Sequence, residues 1–156
     1  MSNVTFPTEV IDLPSKGKFY PTGHPLASGQ VELKYMTAKE EDILTSTNLI
    51  QKGVVLDKLM DSLIVTKNVT HEDFLLGDLN AVMVASRILG YGKEYPLNVT
   101  CPKCNTTSEH NVDLSQLETK DIPENDLTFK LPVSGKTIKV RLLSRKIEKE
   151  IGRAHV

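Results

Sequence analysis

The sequence predicts an α+β fold, a helical middle segment packed with β-hairpins, one hairpin bearing a zinc-knuckle-like Cys-x-x-Cys turn. Three patterns predict it. Residues 30–36 alternate apolar and polar, apolar positions recur at helical spacing across 37–90, and alternating segments separated by turn residues lie at 95–114 and 127–143. The expected organisation is an irregular N-terminal arm (1–29), an α+β domain (30–143) and a charged C-terminal helix (144–156) in which the chain stops, as a truncated or short member of a family would.

Composition narrows the class. Apolar residues make up 39% and charged residues 25%, the balance of a soluble globular domain. Aromatics are only 5% and Trp is absent, so the core is expected to rest on Leu, Val and Ile. A net charge of −1 without a dense basic run argues against a dedicated nucleic-acid binder. No apolar run approaches the ~20 residues of a membrane span. "MSNVTFPTEV" has neither basic n-region nor apolar h-region, so a reducing, cytosol-like compartment is expected.

In the arm, "EVIDLPSKGKFYPTGHPLASGQ" is punctuated by Pro14, Pro21, Pro25, Gly17, Gly23 and Gly29, which forbid regular structure. Phe19 and Tyr20 sit among these breakers and need burial, either on their own domain or on a neighbouring subunit. "QVELKYM" reads as a half-buried strand, expected to pack with the arm beside or across the hairpins. Thr37 and Glu40 form a capping-box signature that opens a helix at "TAKEED". A second helix is expected over 54–65. A third follows Thr70, breaks near Gly77 and continues to Leu89, before Gly90 and Gly92 stop it. The "KEED" cluster and the terminal helix read as solvated charged faces.

Few motifs point to chemistry. "VSGKT" imitates the end of a phosphate-binding loop, but Lys130 stands where the first glycine belongs and a strand-like segment follows, so it reads as a hairpin turn. No His-Glu-x-x-His, Gly-x-Ser-x-Gly or acid–base carboxylate pair is present, and no enzymatic activity is expected. "NVTCPKCNTTSEH" holds both cysteines of the chain. Cys101 and Cys104 have the spacing of a zinc knuckle, with His110 as a third ligand and a fourth from elsewhere in the chain or from another chain. A thioredoxin-like redox pair would precede a helix, whereas poor helix starters follow here. An unligated hairpin tip is the remaining reading.

Several segments, taken in order, resemble a known family: "LPSKGKFYPTGHPL", "VELKYMTAKEEDILTS", "LIQKGVVLDKLMDSLIV", "LLGDLNAVMVASRILGYGKEY", "CPKC" and "LPVSGKTIKVRLLS". Together, over residues 9–148, they resemble the baseplate hub proteins of T-even-like contractile-tailed bacteriophages, hub subunits or hub assembly chaperones. The resemblance implies a non-enzymatic role in building the tail baseplate in the host cytoplasm, with retention in the virion left open. It implies other hub and tail proteins as partners, along with self-association, and neither membrane nor nucleic acid. The surface expected to bind them is the two helices at 54–65 and 74–89 with the arm: Phe19, Tyr20, Leu56, Leu59, Leu63, Leu79 and Met83. The alternative from a different class is a small zinc-knuckle module contacting nucleic acid or a transcription complex. A thiol oxidoreductase is a third.

Overall fold

The computed structural model of the chain describes residues 6–119 and 127–153. Strand β1 (Thr8–Asp12) pairs antiparallel with β2 (Gln30–Lys34), Ile11 lying opposite Val31. The expected irregular arm therefore contains a strand. "TEVID" carries a single inward-facing apolar residue, Ile11, too little alternation to mark a strand without its partner. The Pro- and Gly-rich stretch is only the connection between the two strands. It doubles back on itself: the Leu13 N–H donates to the Gly29 carbonyl at 2.8 Å. Gly17, at φ 75°, lies so close to this return that a Cβ would sit 2.3 Å from the Ala27 carbonyl oxygen.

Helix α1 (Ala38–Thr45) opens with the expected capping box. Glu40 Oε2 accepts from the Thr37 N–H at 3.0 Å and the Thr37 hydroxyl at 2.6 Å. Glu40 nevertheless departs from the solvated face expected of "KEED", because it is fully buried. Its Oε1 accepts from Lys34 Nζ at 2.8 Å and Ser62 Oγ at 2.5 Å, tying β2, α1 and the next long helix together. Burial pushes this carboxyl up, but the bonds from Lys34, Ser62 and Thr37 outweigh it and hold the pKa at about 2.

A short helix α2 (Thr47–Gln51) precedes α3 (Val55–Leu63). Helix α3 ends before the expected residue 65 because the chain there turns extended and joins the sheet. Ile64 bridges Leu33, and the Val65 N–H donates to the Glu32 carbonyl at 2.9 Å. A single 3-10 turn (His71–Asp73) follows, and α4 runs over Leu76–Tyr91. The break in this third helical region falls at Phe74 and Leu75, both extended, and Gly77 lies inside α4. Leu13, Leu26, Val31, Leu33, Leu59, Met60, Leu63, Phe74, Leu79 and Val82 form one buried cluster between the β1–β2 sheet and α3–α4.

The hairpins stand apart from this core as separate two-stranded sheets: β3 (Glu94–Thr100) with β4 (Thr107–Asp113), and β5 (Thr128–Lys130) with β6 (Thr137–Lys139). The β1–β2 pair forms no ladder with either hairpin and residues 64–65 extend β2 instead, while Lys18–Pro21 of the arm share a groove with Leu127, Lys139 and Val140 beside β5–β6. "VSGKT" is the β5–β6 turn, closed by the Leu131 N–H on the Lys136 carbonyl at 2.8 Å.

Helix α5 (Arg145–Arg153) is not the freely solvated helix that its charges imply. Arg145 lies 3.2 Å from Asp57, and Lys149 bridges Asp57 at 2.9 Å and Glu72 at 3.2 Å. Lys149 Nζ is also 2.9 Å from Nε2 of buried His71, whose Nδ1 lies 2.7 Å from Asp61. An ammonium only donates, so Nε2 accepts and Nδ1–H faces the carboxylate. Burial raises the Asp57 carboxyl, and the Lys149 and Arg145 cations outweigh that and lower it.

Two outcomes are expected. Gly17→Ala, strained at positive φ and in collision with backbone, lowers the thermal midpoint by several degrees in a melting scan. Glu40, depressed from 4.5 to about 2, contributes stability present above pH ~4.5 and lost as pH falls towards 2, about 3 kcal/mol in all. Urea unfolding at pH 5 and pH 2.5 shows Glu40→Gln far less stable than the parent at the higher pH, with the gap closing at the lower.

Candidate interaction surface

The first turn of α4 gathers the chain. Asp78, its third residue, is 1% exposed, yet both carboxylate oxygens are satisfied by the arm. Oδ1 accepts from the Ser15 N–H at 2.9 Å; Oδ2 accepts from the Ser15 and Tyr20 hydroxyls, each at 2.7 Å. The Tyr20 oxygen in turn accepts from the Leu75 N–H at 3.1 Å, serving one of the backbone donors a helix start leaves unpaired. Burial, and then the bond to Asp78, push the Tyr20 phenol far above its ordinary range, so it stays a donor. From the other side, the Leu76 N–H donates to Leu143 and the Arg145 N–H to Phe74, at 2.9 and 3.0 Å. Arm, α4 and the entry to α5 are thus locked at one point.

Beside this lock lies a groove of about 870 Å³ with Phe19, Leu75, Val140, Leu142 and Ile147 in its walls and Lys139 and Arg141 among its polar lining. A smaller groove of about 210 Å³ is lined by Leu56, Met60, Leu79, Met83 and Arg145. Among the residues expected to face a partner, Phe19 is half-buried in the first groove, while Leu56, 51% exposed, and part-buried Met83 meet in the second. Leu59, Leu63 and Leu79 belong instead to the chain's own core, and Tyr20 is turned inward onto Asp78. The stripes on α3 and α4 identify a buried face; here the β1–β2 sheet and Phe74 cover it.

The hairpins display the apolar surface that the helices do not. The β3–β4 root is fastened: the Arg87 guanidinium lies 4.9 Å from the Tyr91 ring and 5.5 Å from Tyr95, and Lys93 pairs with Asp113 at 3.0 Å. Beyond the root the ribbon is exposed. Alternation puts Tyr95, Leu97 and Val99 on one side with Val112, and Glu94, Glu109 and Asp113 on the other. Tyr95, Leu97 and Val99 remain 39%, 37% and 48% exposed. In β5–β6, Phe129 faces Ile138 across the ladder, and both are exposed. These positions were visible in the sequence as alternation, whose apolar side reads as core-facing until the structure shows no core beneath it.

At the β3–β4 tip, Cys101 is half-buried and Cys104 exposed, both as free thiols. His110 does not join them. It pairs with Leu97, four register steps beyond the Cys101–Thr106 contact, roughly 13 Å at about 3.4 Å per residue. Its Nε2 is engaged by the Ser108 hydroxyl at 2.9 Å.

An α+β chain with one small core and projecting apolar ribbons has the form of an assembly component. Residues 5–151 match the family of T4 bacteriophage base plate proteins, and the chain belongs to that family. It is a T4-like phage baseplate protein, as the resemblance over residues 9–148 implied. No curated protein and no solved structure matches the chain. No helix among the described residues is long and apolar enough to cross a membrane.

The Asp78 lock is testable by a double-mutant cycle. Tyr20→Phe leaves Asp78 Oδ2 with the Ser15 hydroxyl alone and strands the Leu75 N–H, and an expected loss of about 2 kcal/mol follows from leaving buried polar groups underpaired. Combined with Asp78→Ala, the two losses are expected to be clearly less than additive in urea unfolding.

Proposed function

We propose that this chain is a hub protein of the tail baseplate, or the chaperone of hub assembly, and that it acts by protein–protein binding without catalysis. The observation that carries the proposal is the pair of hairpins whose apolar faces are uncovered. A two-stranded ribbon in water is marginal unless a neighbour covers it. Fully burying an exposed Leu or Phe side chain contributes about 1.5–3 kcal/mol, and Leu97 and Val99 on one hairpin and Phe129 and Ile138 on the other, each 37–49% exposed, have part of that still to gain from a partner. Other hub and tail proteins are the partners, met in the host cytoplasm during assembly. Glu94 and Glu109 on the reverse of β3–β4 repel phosphate and weigh against a nucleic-acid module.

Co-expression with the other baseplate proteins of the same phage, followed by pull-down, tests the binding. Leu97→Asp with Val99→Asp, and separately Phe129→Asp with Ile138→Asp, are expected to weaken capture at least tenfold with the thermal midpoint unchanged. Undiminished capture by both pairs contradicts the proposal. Mass spectrometry of purified tails against infected-cell lysate then separates the two roles: a hub subunit persists in tails, and a chaperone is found in lysate alone.

A further inference from the structure

The Cys101–Cys104 tip lies beyond the apolar rungs of β3–β4 and is built as a metal knuckle. The Cys101 N–H donates to the Thr106 carbonyl at 3.0 Å, and the Asn105 N–H donates back to the Cys101 carbonyl at 2.9 Å. Asn105 adopts φ 54°, the left-handed conformation that reverses the chain directly after the second cysteine. Cys101 and Cys104 thus lie within one closed turn at the hairpin tip, both as free thiols.

Two thiolates at this spacing supply half of a tetrahedral zinc shell, each at ~2.3 Å from the ion. Among the described residues no third His, Cys, Asp or Glu gathers with them. The residues around the pair, 102–111, are all exposed, so a second molecule can reach the tip. We infer that Cys101 and Cys104 form half of a zinc site that a second copy of this chain completes with its own Cys101 and Cys104.

Two features favour a second copy. A two-fold axis through the ion presents the same donor pair twice, which closes the shell without any other ligand. Four thiolates around one divalent ion leave two surplus negative charges, and Lys103, between the cysteines, contributes one compensating charge from each copy.

The test uses the full chain, purified under reducing conditions and freed of metal with EDTA, then titrated with zinc alone. Uptake is expected to saturate at half a zinc per chain, with the mass by light scattering doubling in step. Cobalt in place of zinc is expected to give the intense thiolate charge-transfer and visible bands of a tetrahedral four-sulfur site. Cys101→Ser with Cys104→Ser, at an exposed tip, is expected to keep the thermal midpoint while abolishing uptake and doubling. Absence of uptake, one zinc on a monomeric chain, or a dimer that persists in EDTA overturns the inference. None of these readouts depends on the hub assignment.

Discussion

A buried carboxylate organises this molecule. Asp78 sits in the first turn of α4, where helix geometry leaves backbone donors open and favours negative charge. An uncompensated carboxylate there would be costly, and the chain meets the requirement by wrapping the segment "SKGKFY" over it. Ser15 and Tyr20 supply the donors, Gly17 makes the tight path between them, and Tyr20 returns a hydrogen bond to the helix start. The breaker-rich arm is thus held by polar satisfaction as much as by burial. Because the same helix start takes up the Leu143–Arg145 segment, one site ties together the arm, α4 and the entry to α5.

That arrangement divides the labour of the fold. The interior is filled by the β1–β2 sheet, α3 and α4, with Glu40 and the Asp57–His71–Lys149 cluster as polar ties across it. The two hairpins are attached at their roots and contribute little to this core. Leu127 and Val140 at the root of β5–β6 line the groove beside Phe19, whereas Tyr95, Leu97, Val99, Phe129 and Ile138 stay more than a third exposed, which leaves apolar area for another molecule to cover. For a member of a baseplate family, we propose that binding lies in the ribbons and rigidity in the body.

Local rules carried the sequence reading far. The capping box at Thr37, the two hairpins and the turn at "VSGKT" depend on residues a few positions apart and stand as read; of the two glycines expected to stop α4, Gly92 caps it and Gly90 lies inside it. What was not legible depends on distance along the chain. Ser15 and Asp78 are 63 residues apart, and Asp57 and Arg145 are 88 apart, so neither pairing leaves a local mark. The charged α5 and "KEED" looked solvated for that reason. Leu59 and Leu63 illustrate the complementary limit: periodicity shows that a face is covered, and only topology says whether the cover is the chain itself or a partner.

The central claim is that the ribbons, and not the helices, meet the partner. Amide hydrogen exchange on the chain alone and in a co-expressed baseplate complex tests it most directly. The account expects 94–113 and 128–139 to exchange rapidly in the free protein and to gain strong protection in the complex, while α3 and α4 stay unchanged. Protection that appears on α3 and α4 instead, with both hairpins still exchanging freely, would contradict it.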